Sequence, residues 1–215
     1  MRIYLIRHGQ TDWNVAKKIQ GSTNIPLNAT GIEQAHKVGR MFLEKQDVYP
    51  IDFVYTSFLD RAHVTADILG AHLGLPAEVA EGFHELDLGG FEGLNWAEAE
   101  EKYGPVYWEW YNDRQYAKTP DGGEAYNDAY VRCREGVRKL AALHPDARGI
   151  AVVSHGGTIF ATIAAITGTD FDHMSQYPIG NLSVVVTEYD PATDDWRFIK
   201  IDNDATPANS TTVMK

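Results

Sequence analysis

The amino-terminal residues set a pattern that recurs along the chain. Arg2-Ile3-Tyr4-Leu5-Ile6 is an apolar run that stops at a polar, glycine-containing turn, Arg7-His8-Gly9-Gln10-Thr11. A short apolar run bounded by a turn predicts a buried strand over residues 2–6. Thr30-Gly31-Ile32-Glu33 has the form of a capping box, with Thr30 as cap and Glu33 reaching back. Ile32, Ala35, Val38, Gly39 and Phe42 then recur at helical spacing. A second strand is predicted over residues 52–56. A second helix follows over 59–73, with Ala62, Ala66, Leu69 and Leu73 inward. Residues 124–143 read as a long amphipathic helix that stops before His144-Pro145. Ile150-Ala151-Val152-Val153 is continuously apolar, as in a strand buried on both faces. It runs into Ser154-His155-Gly156-Gly157 and a helix over 158–167. Late strands are expected over 182–187 and 196–201, with a turn at Asp190-Pro191, and the tail after Asp202 reads as polar and frayed.

Alternating strands and helices predict a three-layer α/β fold. The 215 residues hold no repeat, low-complexity tract or linker, so one domain spanning 1–215 is expected. The stretch 95–118 differs in texture, carrying Trp96, Tyr103, Tyr107, Trp108, Trp110, Tyr111 and Tyr116. It reads as a helical cap inserted into the core, or else as a helix pair packed on the core with no substrate role.

Composition narrows the field. The lone cysteine, Cys133, excludes an internal disulfide and any cysteine-based metal cluster, and it shares an apolar stripe with Tyr126, Tyr130 and Val137 that marks it as core. The first apolar run is too short for a signal peptide, and no apolar stretch is long enough to span a membrane. A cytoplasmic protein is therefore expected, in which the glycosylation patterns at Asn28, Asn181 and Asn209 are chance. A net charge of −11 speaks against nucleic acid as a partner. It also means that a site for an anionic substrate must be a local concentration of Arg, His and free backbone N–H.

Two strand ends supply such a concentration. Ile6-Arg7-His8-Gly9 and Ser154-His155-Gly156-Gly157 each place a histidine beside glycine where a strand terminates, which is where ligands collect in open α/β sheets. The second turn opens a helix, whose N-terminal N–H groups favour an anion. Arg61 falls in the first turn of the helix after the second strand, an unfavourable place for a cation unless it faces a shared anion. Otherwise it would make a surface salt bridge with Asp60 or Asp67. Guanidinium groups suit phosphate because they fork onto its oxygens.

Arg7-His8-Gly9, with Thr11 and Trp13-Asn14 behind it, resembles the RHG signature of the histidine phosphatase superfamily, the group that contains the cofactor-dependent phosphoglycerate mutases. The resemblance continues through Gln20-Gly21, Pro26-Leu27, Gly31, Gln34-Ala35, Ser57, Arg61-Ala62 and Thr65-Ala66. It runs on to Glu85, Gly89, Glu92-Gly93, Gly122-Gly123-Glu124 and Ser154-His155-Gly156. It implies a three-layer α/β/α sandwich with a mostly parallel central sheet and a small helical cap. It implies His8 as the nucleophile that becomes phosphohistidine, Arg7, Arg61 and His155 around the transferring phosphoryl group, and Glu85 as proton donor. Asn14 matches a further contact to the phosphoryl group, with Gln20, Gly21 and the N–H of Gly156 at the rim. Phosphoryl transfer is mostly positioning and electrostatic stabilisation, so this set needs no metal or other cofactor. His8 must be neutral at the attacking nitrogen, which asks for a carbonyl, such as that of Gly9, on the other one.

A metal-ligand set is the rival chemistry, but His36, His63, His72, His144 and His173 are scattered and form no HExxH pair. Within the resemblance, a mutase needs extra cations to grip a doubly anionic substrate. The mutases carry Arg-His-Tyr-Gly after the catalytic Glu, whereas Glu85 is followed by Leu86-Asp87-Leu88-Gly89. The cap offers Lys102, Arg114 and Lys118 against Glu98, Glu100, Glu101, Glu109 and Asp113. The expected activity is thus that of a phosphomonoesterase for small phosphorylated metabolites. The alternatives are a phosphoglycerate mutase and, more remotely, a non-catalytic phospho-ligand-binding protein. The late apolar strands could pair across a homodimer.

Overall fold

The computed structural model describes residues 1–204. The glycosylation pattern at Asn209 and most of the tail read as frayed lie outside the described residues. The first tail residues are held: the Ser183 hydroxyl donates to Asn203, and Lys45 meets Asp204 at 2.7 Å.

The strands are β1 (Arg2–Arg7), β2 (Phe53–Thr56), β3 (Ala77–Val79), β4 (Gly149–Ser154), β5 (Val184–Asp190) and β6 (Asp195–Asp202). They form one sheet in the order β3-β2-β4-β1-β5-β6. The contacts β2–β3, β2–β4 and β1–β4 are parallel, and β5 runs against both its neighbours. The helices are α1 (Asp12–Val15), α2 (Ala29–Glu44), α3 (Asp60–Leu73), α4 (Trp96–Tyr103), α5 (Pro105–Asn112), α6 (Tyr126–Leu143) and α7 (Gly156–Thr167).

The pleat sorts the apolar residues into two layers of core, because successive strand residues face opposite sides. Tyr4, Ile6, Ala151 and Val153 point to the side covered by α2 and α3. Ile3, Leu5, Ile150 and Val152 point to the side of α6 and α7, where Cys133 is also buried. All six residues of β4 are buried, as its continuous apolar run requires. The result is the expected α/β/α sandwich with a mostly parallel sheet.

Several local expectations need correction. The cap of α2 is Asn28, whose side chain accepts from the Gly31 N–H, so the helix begins before Thr30 and the Thr30–Glu33 box does not form. The helix starts two residues earlier than expected; Ala35, Val38, Gly39 and Phe42 are buried, but Ile32 is 40% exposed, while Gly31, Gln34 and Met41 join the buried side. The strand β3 and the four-residue α1 went unpredicted, being too short to show a period. The aromatic stretch is two helices, broken at Gly104-Pro105, where Gly104 has φ +50° and Pro105 starts α5.

Candidate active site

The register Arg7↔Ser154 brings the ends of β1 and β4 level, so His8 and His155 leave the sheet side by side. Their rings lie 5.2 Å apart, and both are buried. The His8 N–H donates to the Ser154 carbonyl at 3.0 Å. On its side chain, Nδ1 sits 2.7 Å from the Gly9 carbonyl. A carbonyl only accepts, so Nδ1 carries the proton and Nε2 keeps its lone pair. The turn after His8 is fixed by close backbone packing. A Cβ on Gly9 would lie 2.5 Å from the Gly31 carbonyl oxygen, so only glycine fits. The Gly9 N–H donates to Thr65 Oγ1, which in turn donates to the Arg61 carbonyl, tying the turn to α3.

Arg61 is fully buried, and its terminal nitrogens donate to the carbonyls of Thr23 and Gly21 at 2.7 Å each. The salt bridge to Asp60 or Asp67 does not form. Burial pushes its pKa down to about 10, which leaves it charged at neutral pH. Arg7, at the end of β1, donates to the Ile179 carbonyl at 3.1 Å. Holding two guanidinium groups by neutral carbonyls preserves their positive charge for a ligand. Burial, reinforced by Arg61, lowers the pKa of both His8 and His155 well below the ordinary histidine value, so both rings are neutral. His155 Nδ1 and Nε2 and Arg61 Nε have no hydrogen-bond partner among the described residues. Buried polar atoms are rarely left so, and a tetrahedral anion beside His8 would satisfy such a cluster.

Glu85 differs from expectation in where it sits. Its carboxylate accepts from the N–H groups of Gly157 and Thr158 at 3.0 Å each, and from Leu86 N–H. The acceptor on the N-terminus of α7 is thus the chain's own Glu85 carboxyl group. In the first turn, Gly156 is the residue whose N–H Glu85 does not take. Gly157 has to be small here, since a Cβ would lie 2.8 Å from Glu85 Oε1.

The segment carrying Glu85 is clamped from three sides. Arg132 of α6 donates to the Gly82 and His84 carbonyls at 2.8 and 2.7 Å. The hydroxyls of Ser154 and Thr158 donate to the Phe83 and His84 carbonyls at 2.6 Å each. Glu124 pairs with Arg132 at 3.1 Å and accepts from the Asp87 N–H, while its own N–H donates to the Asp87 carbonyl.

These groups surround a cavity of about 720 Å³. Arg7, His8, Asn14, Arg61, Glu85 and Gly156 line it, as do Gln20 and Gly21 at its edge. His155 is buried beside His8, just outside this lining. Asn14 Oδ1 accepts from Thr11 and Asn181, which leaves its amide NH2 as the group available to a ligand. Asn181, which the sequence presents only as a chance glycosylation pattern, donates to the His8 carbonyl at 2.9 Å and also lines the cavity. Its isolated position, far from the other motifs along the chain, gave no signal.

The two readings of the aromatic stretch divide between its residues. Trp96 and Tyr107 line the cavity. Trp110 is buried behind them, stacked on Trp96 with centroids 5.6 Å apart and planes within 9°. The expected cap cations do not reach the cavity. Lys102 lies over Tyr103, Arg114 over Tyr111, and Lys118 faces Asp128 at 3.8 Å. Among the described residues, no three His, Cys, Asp or Glu side chains gather as a metal-ligand set. Two of the scattered histidines do meet: His36 and His72 lie 3.1 Å apart between α2 and α3, away from the cavity.

Fold and pocket together define an α/β enzyme of phosphoryl chemistry. Residues 3–203 match the histidine phosphatase superfamily (branch 1), and the chain belongs to that superfamily as one of its phosphatases. It is 34% identical over 168 residues to an uncharacterised phosphatase, PhoE, of Bacillus subtilis, with 78% of each chain covered. A metal-independent phosphoserine phosphatase of Arabidopsis thaliana is 34% identical over 168 residues, covering 77% of this chain and 68% of the relative. The solved structure of a mycobacterial glucosyl-3-phosphoglycerate phosphatase complexed with VO3 matches with a TM-score of 0.78 and 30% identity, over 92% of this chain and 96% of that one.

Proposed function

We propose that the chain hydrolyses small phosphate monoesters through a phosphohistidine on His8. The observation that carries this reading is the Nδ1–Gly9 carbonyl bond of 2.7 Å, which leaves Nε2 as a fixed, neutral nucleophile. In the first step Nε2 attacks phosphorus and the ester P–O bond breaks. The leaving oxygen takes a proton from Glu85, which enters this step as the carboxylic acid and leaves it as the carboxylate. Arg7, Arg61, His155, Asn14 and the Gly156 N–H surround the equatorial oxygens, where charge concentrates. In the second step Glu85 takes a proton from water, which attacks phosphorus and releases phosphate and neutral His8. Each proton and electron pair is accounted for without a metal. Gln20 and Gly21 shape the edge, and Gly21 also fixes Arg61 through its carbonyl.

A phosphoglycerate mutase is the second reading, and the cap weighs against it: its cations stack on aromatic rings or pair with acid, and none lines the cavity. Phosphoserine and related phosphorylated acids, substrates named for the relatives, are candidates here too. No helix among the described residues is long and apolar enough to cross a membrane. The deciding experiment is hydrolysis of p-nitrophenyl phosphate in excess EDTA by wild type and His8→Ala, beside a 3-phosphoglycerate mutase assay. Release that resists EDTA and vanishes in His8→Ala is expected, without mutase turnover. Activity that survives His8→Ala would overturn the mechanism.

A further inference from the structure

Segment 17–23 leads from the phosphoryl pocket to the cavity mouth, and it carries two lysines that the mechanism above does not use. Lys17 and Lys18 both line the cavity. Neither forms an ion pair among the described residues, in a chain whose net charge is −11. The nearby carboxylates are engaged elsewhere: Asp12 accepts from Asn28, and Glu92 accepts from the Ser22 and Thr23 N–H groups. A role as counter-charge to the dipole of α1 is inadequate, since that helix has four residues.

The lysines are also placed, not loosely hung. Lys17 sits at φ +55°, a left-handed conformation that residues other than glycine rarely adopt. The Lys18 N–H donates to the Trp13 carbonyl at 2.9 Å, and its ammonium lies 5.6 Å from the Trp13 ring centroid. One residue on, Ile19 exchanges two backbone hydrogen bonds with the strip before α4: Ile19 N–H to Leu94 carbonyl at 2.8 Å, and Gly93 N–H to Ile19 carbonyl at 2.9 Å. Gly21 and Thr23 then hold Arg61. One loop therefore holds the Arg61 guanidinium at the phosphoryl end and sets the backbone of two exposed lysines on the cavity lining.

We propose that Lys17 and Lys18 form a second anion subsite, which takes a carboxylate on the leaving group of the substrate. The preferred substrates are then small phosphorylated carboxylic acids. The subsite rests on the phosphatase reading and deepens it. Because the lysines are solvent-exposed, they attract the second charge through water and add modestly to binding.

The test compares 3-phosphoglycerate with glycerol 3-phosphate, two alkyl phosphates that differ in a carboxylate. Wild type should favour the acid in kcat/KM. In the Lys17→Gln/Lys18→Gln double variant that preference should shrink about tenfold, chiefly through KM for the acid. The Lys17→Arg/Lys18→Arg variant should keep it. A wild-type preference near one, or a preference that the Gln pair leaves intact, would overturn the subsite. So would an equal loss for both substrates. Calorimetric binding of the same two compounds to His8→Ala asks the question without turnover. Failure of wild type to hydrolyse p-nitrophenyl phosphate would instead strike the phosphatase reading, and the calorimetry would still decide the subsite.

Discussion

In the proposed mechanism, burial is what makes His8 useful as a nucleophile. Desolvation and the neighbouring guanidinium groups disfavour its protonated form, so Nε2 stays available well below the pH at which a free histidine charges. The expected consequence is a kcat/KM for p-nitrophenyl phosphate that holds as pH falls from 7.5 toward 6. A low-pH limb with an apparent pKa near the usual ~6.5 would show His8 titrating as an exposed side chain. His155 is kept neutral in the same way, by burial and by Arg61. With its ring nitrogens unpartnered, replacing it by Gln should cost kcat about a hundredfold, by analogy with the loss of one oxyanion donor. Vanadate inhibition of the same variant should weaken in parallel, which a change in folding alone would not produce.

At the scale of elements, α6 positions an acid that it does not carry. Arg132 holds the Gly82 and His84 carbonyls just ahead of Glu85 and is itself held by Glu124. Loosening this clamp should hurt most where the leaving group needs a proton. Glu124→Gln is expected to lower kcat/KM for an alkyl phosphate by about a hundredfold, and for p-nitrophenyl phosphate, whose phenolate leaves unaided, by only a fewfold. Equal losses on both would make the pair a structural strut. The helices α4 and α5 split similarly. Trp110→Ala removes a buried ring and should cost about 3–5 kcal/mol of stability. Trp96→Ala, at the cavity wall, should act chiefly by raising KM. Thermal melts beside steady-state kinetics separate the two.

For the whole molecule, the same buried histidines set a limit on acid tolerance. Their folded pKa values lie below the unfolded value, so as pH falls the unfolded chain binds protons first. Stability is complete above about pH 6.5 and declines below it, by about 1.4 kcal/mol per pH unit for each histidine. Between pH 6.5 and 5.5 the pair should lower Tm by roughly 5–10 °C. His155→Gln should halve the slope, and a melt series that showed no such change would mean the ring charges in place.

How much of this was legible in the sequence follows from distance along the chain. The ends of β1 and β4 were readable because an apolar run, a histidine and a glycine are local signals, and the sheet then aligns them. Glu85 was readable only through the family resemblance, and its partner was not: a carboxylate 72 residues from Gly157 is placed by tertiary packing. The same holds for Arg132 and Asn181, whose roles lie in carbonyls that any sequence possesses. Gly104-Pro105 is a local signal too, a helix stop followed by a helix start, and it agrees with the helix-pair reading of the aromatic stretch.

The carboxylate seated on α7 has one more consequence. Gly157 and Thr158 hydrogen-bond directly to the group proposed to gain and lose a proton in every cycle. Their amide resonances are thus a built-in indicator: a 15N-labelled sample, titrated or mixed with vanadate, should report the charge on Glu85 through two peaks, with no probe attached and no substrate turned over.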